Sequence, residues 1–113
     1  MNYSVIPTPR FKKEAKRLLK KYPSLREELS ELEKELQVYP AQGTALGNNT
    51  YKIRIAIKSK GKGKSGGCRV ITYALTSELE VYLLSIYDKS EISSIDTHAL
   101  KDIVKNIRHI KHS

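Results

Sequence analysis

The chain has one cysteine, Cys68, so no disulfide can close within it, and a lone thiol in a strand-like run reads as a small buried hydrophobe in a reducing compartment. No apolar run approaches the roughly 20 residues of a membrane span, and the opening MNYSVIPTPR lacks the apolar stretch of a signal peptide. A cytoplasmic protein with no membrane partner is expected. Histidine is confined to His98, His109 and His112, with no Cys, Asp or Glu at metal-ligand spacing, which argues against a metal site. The glycines of GKGKSGG lead into a strand pattern and not a helix, so they lack the context of a phosphate-binding loop or dinucleotide fingerprint, and no small-molecule cofactor is expected. Acidic residues are missing altogether between Glu35 and Glu78.

What fills that acid-free interval is Lys52, Arg54, Lys58, Lys60, Lys62, Lys64 and Arg69. Solubilising surfaces mix signs, whereas a one-signed block is the footprint of a polyanion partner. The whole chain carries 21 Lys and Arg against 12 Asp and Glu, a formal charge of +9, which makes long-range attraction to phosphate a physical expectation. With 113 residues there is enough chain for one core, and residues 1–113 are read as a single domain.

Periodicity divides the chain into elements. Tyr3, Val5 and Ile6 form a short β-prone segment, and Thr8–Pro9 suits the cap and first position of a helix. Phe11, Ala15, Leu18, Leu19 and Tyr22 recur at helical spacing among many lysines and arginines. Ser24 followed by Glu27 is a capping-box pattern for a second helix, with Leu25, Leu29, Leu32 and Leu36 on one face. Glu27, Glu28, Glu31, Glu33 and Glu35 are expected to face solvent. The Pro, Gly and Asn residues from Pro40 to Asn49 read as a loop. From Tyr51 the period becomes two: Tyr51, Ile53, Ile55 and Ile57 alternate with Lys52, Arg54, Ala56 and Lys58, an apolar face against a cationic one. Ser59 to Gly67 is a hairpin tip, Cys68 to Thr76 a second strand, and Val81 to Tyr87, apolar on both faces, a central strand. Asp96 or Thr97 begins a last helix through Ile110. The order βααβββα predicts an α+β fold: an antiparallel sheet packed against an N-terminal αα-hairpin, with a C-terminal helix, the opposite face of the sheet being the working surface.

Within this scheme Lys52 and Arg54 lie on one face of a strand, roughly 7 Å apart, close enough to grip adjacent phosphates. Tyr73, Tyr82 and Tyr87 are aromatic surfaces on which unpaired bases stack, but strand tyrosines serve the core as well, and only Tyr87, at a strand end, is kept as a candidate. Without a histidine in the sheet, RNA cleavage would rest on cations. A lysine in a positive cluster can act as a base, and arginines stabilise a pentacovalent phosphate.

The segment YKIRIAIKSKGKGKSGGCRVITYAL followed by VYLLSIYDKSEI resembles the RelE/ParE superfamily of bacterial type II toxins, particularly the HigB-like branch. The resemblance covers most of the chain. It implies a RelE-like fold, a cognate antitoxin as protein partner, and ribosome-dependent endonucleolytic cleavage of mRNA that inhibits translation. Carried over by position, it makes Lys52, Arg54 and Arg69 the proton-transfer and phosphate-stabilising groups, and adds Tyr87 and Lys89 from the segment after the last strand. Lys58, Lys60, Lys62 and Lys64 would bind RNA. The pattern departs at Lys89, where arginine is common, and near Ile95, where a tyrosine is expected. ParE-like members of the superfamily inhibit DNA gyrase instead, and a non-catalytic RNA- or ribosome-binding module would show the same basic face.

Overall fold

A computed structural model describes residues 2–60, 66–92 and 94–112, with side chains through 59 and 108 in the first and last of these stretches. Strand β1 (Ser4–Pro7) runs into helix α1 (Pro9–Lys21). The Thr8 hydroxyl accepts the Phe11 amide at 3.3 Å as the helix cap and donates to the Leu83 carbonyl at 2.8 Å, so one side chain both starts α1 and fastens it to the sheet. Helix α2 spans Leu25–Val38. The expected capping box is not formed, because Ser24 itself has helical angles that carry its hydroxyl away from the Glu27 amide. That hydroxyl instead meets Glu28 at 3.2 Å and the Ser59 amide at 2.9 Å.

Glu28 corrects a second expectation. It lies four residues before Leu32 on the inward side of α2, is buried, and accepts the Lys58 amide at 2.8 Å. Burial of a carboxylate in that position is tolerated because it satisfies a backbone amide beyond the end of β3.

Five strands form one sheet in the order β1-β5-β4-β3-β2, with β2 Thr44–Gly47, β3 Thr50–Ile55, β4 Cys68–Leu75 and β5 Glu80–Asp88. Two features differ from the expected three-stranded meander beside β1. Residues Thr44–Gly47, read as loop, form the edge strand β2, antiparallel to β3. All four are exposed, so no hydrophobic period marks them, and backbone pairing alone defines the strand. Its turn is Asn48-Asn49, both in the left-handed region (φ 53° and 61°), the conformation that a two-residue hairpin demands. The other difference is β1, which pairs parallel to β5, so the sheet is mixed, though mostly antiparallel.

One face of the sheet packs on α1 and α2 through Phe11, Leu18, Leu25 and Leu36 against Ile53, Ile55, Val70, Val81 and Ile86. The other face is not open: α3 (Thr97–His112) lies on part of it, setting Leu100 and Val104 against Ile71, Leu84 and Tyr87. Tyr73 and Tyr82 are core residues there, their rings stacked with centroids 6.4 Å apart. β5 is buried along nearly its whole length between β1 and β4, as its two-sided apolar pattern implies.

Candidate nucleic-acid interface

Register brings the distant cations together. Arg54 on β3 lies opposite Arg69 on β4, and Arg69 lies opposite Tyr87 on β5, so three residues far apart in sequence form one row across the sheet. Opposed residues in such pairs share a face, with Cβ atoms about 5 Å apart. Lys52, two residues before Arg54, stands on the same face opposite Ile71.

Accessibility grades along the row. Arg54 is exposed and Lys52 half-buried, while Arg69 is 2% exposed and Tyr87 4%. Arg54 and Arg69 set two guanidinium groups on adjacent strands of one face, an arrangement suited to holding an anion. Arg69 donates to the Cys68 carbonyl at 3.2 Å. Burial pushes the Tyr87 phenol above its ordinary value, against a smaller opposing pull from the Arg69 charge. At neutral pH the phenol is therefore a proton and hydrogen-bond donor.

Lys89 is exposed in the turn after β5, and α1 and β4 hold that turn in place. The Lys89 amide donates to Gly67 at 3.1 Å, and the Glu91 and Ile92 amides return to the Asp88 carbonyl. Asp88, fully buried, accepts from the Tyr22 hydroxyl at 2.6 Å and from the Ser90 hydroxyl and amide at 2.7 and 2.9 Å. Arg17 of α1 grips both carboxylate oxygens of Glu91 at 2.6 and 3.1 Å, and Lys21 adds a 3.6 Å contact. These contacts, the Arg17 hydrogen bond foremost, hold the Glu91 carboxyl below its ordinary range and raise the Arg17 guanidinium. Gly67 itself has no room for a side chain: a Cβ there would fall 1.9 Å from the Ile55 carbonyl oxygen.

Lys58 is exposed in a 3-10 turn (Lys58–Lys60) at the end of the β3 strand segment. The side chain of Lys60, and Lys62 and Lys64 altogether, lie outside the described residues. Among the described residues no three His, Cys, Asp or Glu gather as a metal site, and no helix is long and apolar enough to cross a membrane.

A cleft of about 890 Å³ opens between the β2–β3 hairpin, the sheet and α3. Lys52, Ile71 and Tyr87 line it from the sheet, and Lys101, Lys105 and Arg108 from α3. Arg54 and Arg69 do not line it. The three α3 cations escaped the sequence reading, although their spacing of four and three residues is a legible signal of one helical line.

No protein-family model matches the chain. Among solved structures it is similar to a doubly substituted form of the Escherichia coli toxin RelE in the free state, at 21% identity and TM-score 0.65, over 95% of this chain and 99% of that one. The isolated E. coli RelE toxin matches at 20% identity and TM-score 0.58 over 93% and 98%. The intact E. coli RelBE toxin–antitoxin complex matches at 19% and 0.55 over 76% of this chain and 95% of that one. Structural similarity over nearly the whole chain at this level of identity shows the fold alone: the chain has the RelE fold.

Proposed function

We propose that the protein is the toxin of a type II toxin–antitoxin pair and a metal-independent endoribonuclease that cuts mRNA on the ribosome. The observation that carries this reading is the row Arg54–Arg69–Tyr87 with Lys52 beside it, which sets three cations and a protonated phenol on one face. The ribose 2′-hydroxyl attacks the adjacent phosphorus, its proton passing to a basic group for which Lys52 is the candidate. Arg54 and Arg69 stabilise the dianionic phosphorane, where fixed donors act most strongly. Tyr87 gives its proton to the departing 5′-oxygen, leaving a 2′,3′-cyclic phosphate and a 5′-hydroxyl. Lys89 and Lys58, with Lys60, Lys62 and Lys64, hold RNA. In this reading the partners are a cognate antitoxin, the ribosome and mRNA, the setting is the cytoplasm, and translation stops.

The burial of Arg69 and Tyr87 favours one alternative, RNA binding without cutting, unless substrate uncovers them. Induction followed by primer extension on a reporter transcript separates the two. New 5′-hydroxyl ends within translated regions support cleavage. Intact transcripts on bound ribosomes support the binding module, and intact transcripts with trapped gyrase overturn both.

A further inference from the structure

Helix α3 is more than a cover for the sheet. Leu100 and Val104 turn inward, while Lys101, Lys105 and Arg108 run along one side of the helix. At 1.5 Å rise per residue the three span about 10 Å, a line of like charge along which a phosphate backbone can run. They share their cleft with Lys52, and no Asp or Glu is among its described lining residues. The nearest acid in sequence, Asp102, is exposed and does not line it.

The floor is of different character: Ile71, Tyr87 and Leu100 are buried there. A cationic wall above an apolar and aromatic floor matches the two-sided chemistry of an unpaired strand, phosphate on one edge and base faces on the other. A volume of about 890 Å³ suits a few nucleotides of single strand.

We infer that Lys101, Lys105 and Arg108 form a phosphate-binding wall for single-stranded RNA, seating the nucleotides that flank the scissile bond between α3 and the sheet. The inference rests on the endoribonuclease reading and adds to it the place where substrate lies. It assigns α3 to substrate affinity and the β3–β4–β5 row to the chemical step.

The test is single-turnover cleavage on programmed ribosomes with the full chain, comparing wild type with the triple variant Lys101→Gln, Lys105→Gln, Arg108→Gln. A second triple variant, Lys12→Gln, Lys16→Gln, Lys20→Gln on α1, removes the same charge elsewhere. For the α3 variant the half-saturating concentration is expected to rise tenfold or more while the maximal rate stays within twofold. Its salt dependence should flatten by about 2 in log–log slope, from three lost contacts at roughly 0.7 each. All three residues are exposed, so an unchanged melting temperature is expected. Unchanged half-saturation, or an equal shift in the α1 variant, overturns the wall. Weaker capture of the antitoxin with RNA parameters unchanged assigns the surface to protein and overturns it as well. A wild-type protein that cuts nothing defeats the endoribonuclease reading instead. The wall is then decided by fluorescence anisotropy with a single-stranded 2′-O-methyl oligonucleotide: tenfold weaker binding by the α3 variant sustains it, and equal binding overturns it.

Discussion

Replacing Tyr22 with phenylalanine removes one hydroxyl and almost no volume, yet that hydroxyl donates at 2.6 Å to Asp88, a fully buried carboxylate. Hydrogen bonds to charged partners contribute about 1.5–3 kcal/mol, and since Asp88 keeps its Ser90 donors, about 2 kcal/mol is the appropriate figure. The unfolding entropy of 113 residues at roughly 2.1 cal/mol/K each is about 0.24 kcal/mol/K, so the melting temperature should fall by about 8 °C. Circular dichroism on heating measures this directly. The consequence reaches function because Asp88 lies between Tyr87 and Lys89 and anchors the turn that carries Lys89. Cleavage by Tyr22→Phe at 25 °C, far below its transition, should slow more than ribosome binding weakens. A melting temperature within 2 °C of wild type would refute the assignment of Tyr22 as the anchor of this turn.

Three other outcomes follow from the same geometry. Gly67→Ala would place a Cβ 1.9 Å from the Ile55 carbonyl oxygen; strands that part to admit it should lose about 1–3 kcal/mol, measured as a lower urea midpoint. Burial, aided by the Glu28 and Asp88 charges, pushes the Cys68 thiol up to about 12 from 9.0. The unfolded thiol ionises first, so stability is lost as pH rises from 9 toward 12, by about 2 kcal/mol at pH 10.5 from this group. Urea midpoints at pH 8 and 10.5 should therefore diverge more for wild type than for Cys68→Ala. At the acid end the Glu91 carboxyl is held below 4.5, so the Arg17–Glu91 link persists above that value and is lost as pH falls through the lowered one. Amide exchange at Ser90, Glu91 and Ile92 should then quicken in wild type and show no such pH step in Arg17→Gln.

Much of the fold was legible because it depends on local periodicity. The alternation of Ile53 and Ile55 with Lys52 and Arg54 marked a strand with one buried and one cationic face, and those isoleucines are buried; the strand ends at Ile55, short of the Ile57 and Lys58 that the alternation included. Thr8 and Pro9 marked the start of α1, and the apolar run Val81 to Tyr87 marked an inner strand. Edge strand β2 was missed because its residues are all exposed and leave no hydrophobic trace, although Asn48-Asn49 was a usable turn signal. Glu28 was misjudged because sequence shows charge but not the backbone amide of Lys58, thirty positions away, that makes burial tolerable.

The candidate site divides along the same line. Lys52 and Arg54 were legible as a pair, since spacing within one strand dictates a shared face. Sequence also determined the acid-free basic interval and the helical line of Lys101, Lys105 and Arg108, whether or not it was read. Only the tertiary structure decided that Arg54, Arg69 and Tyr87 stand in one row, because register follows from turn geometry and is shifted by a bulge between Ile71 and Thr72, neither of which the two-residue period of a strand discloses. It also decided that Arg69 and Tyr87 are buried and that α3 lies across part of the face expected to be the working surface. The physical reason is the apolar stripe of α3 and the apolar patch around Ile71 and Leu84: each is favourable to bury and neither names its partner, so where they meet is settled only when the whole chain packs.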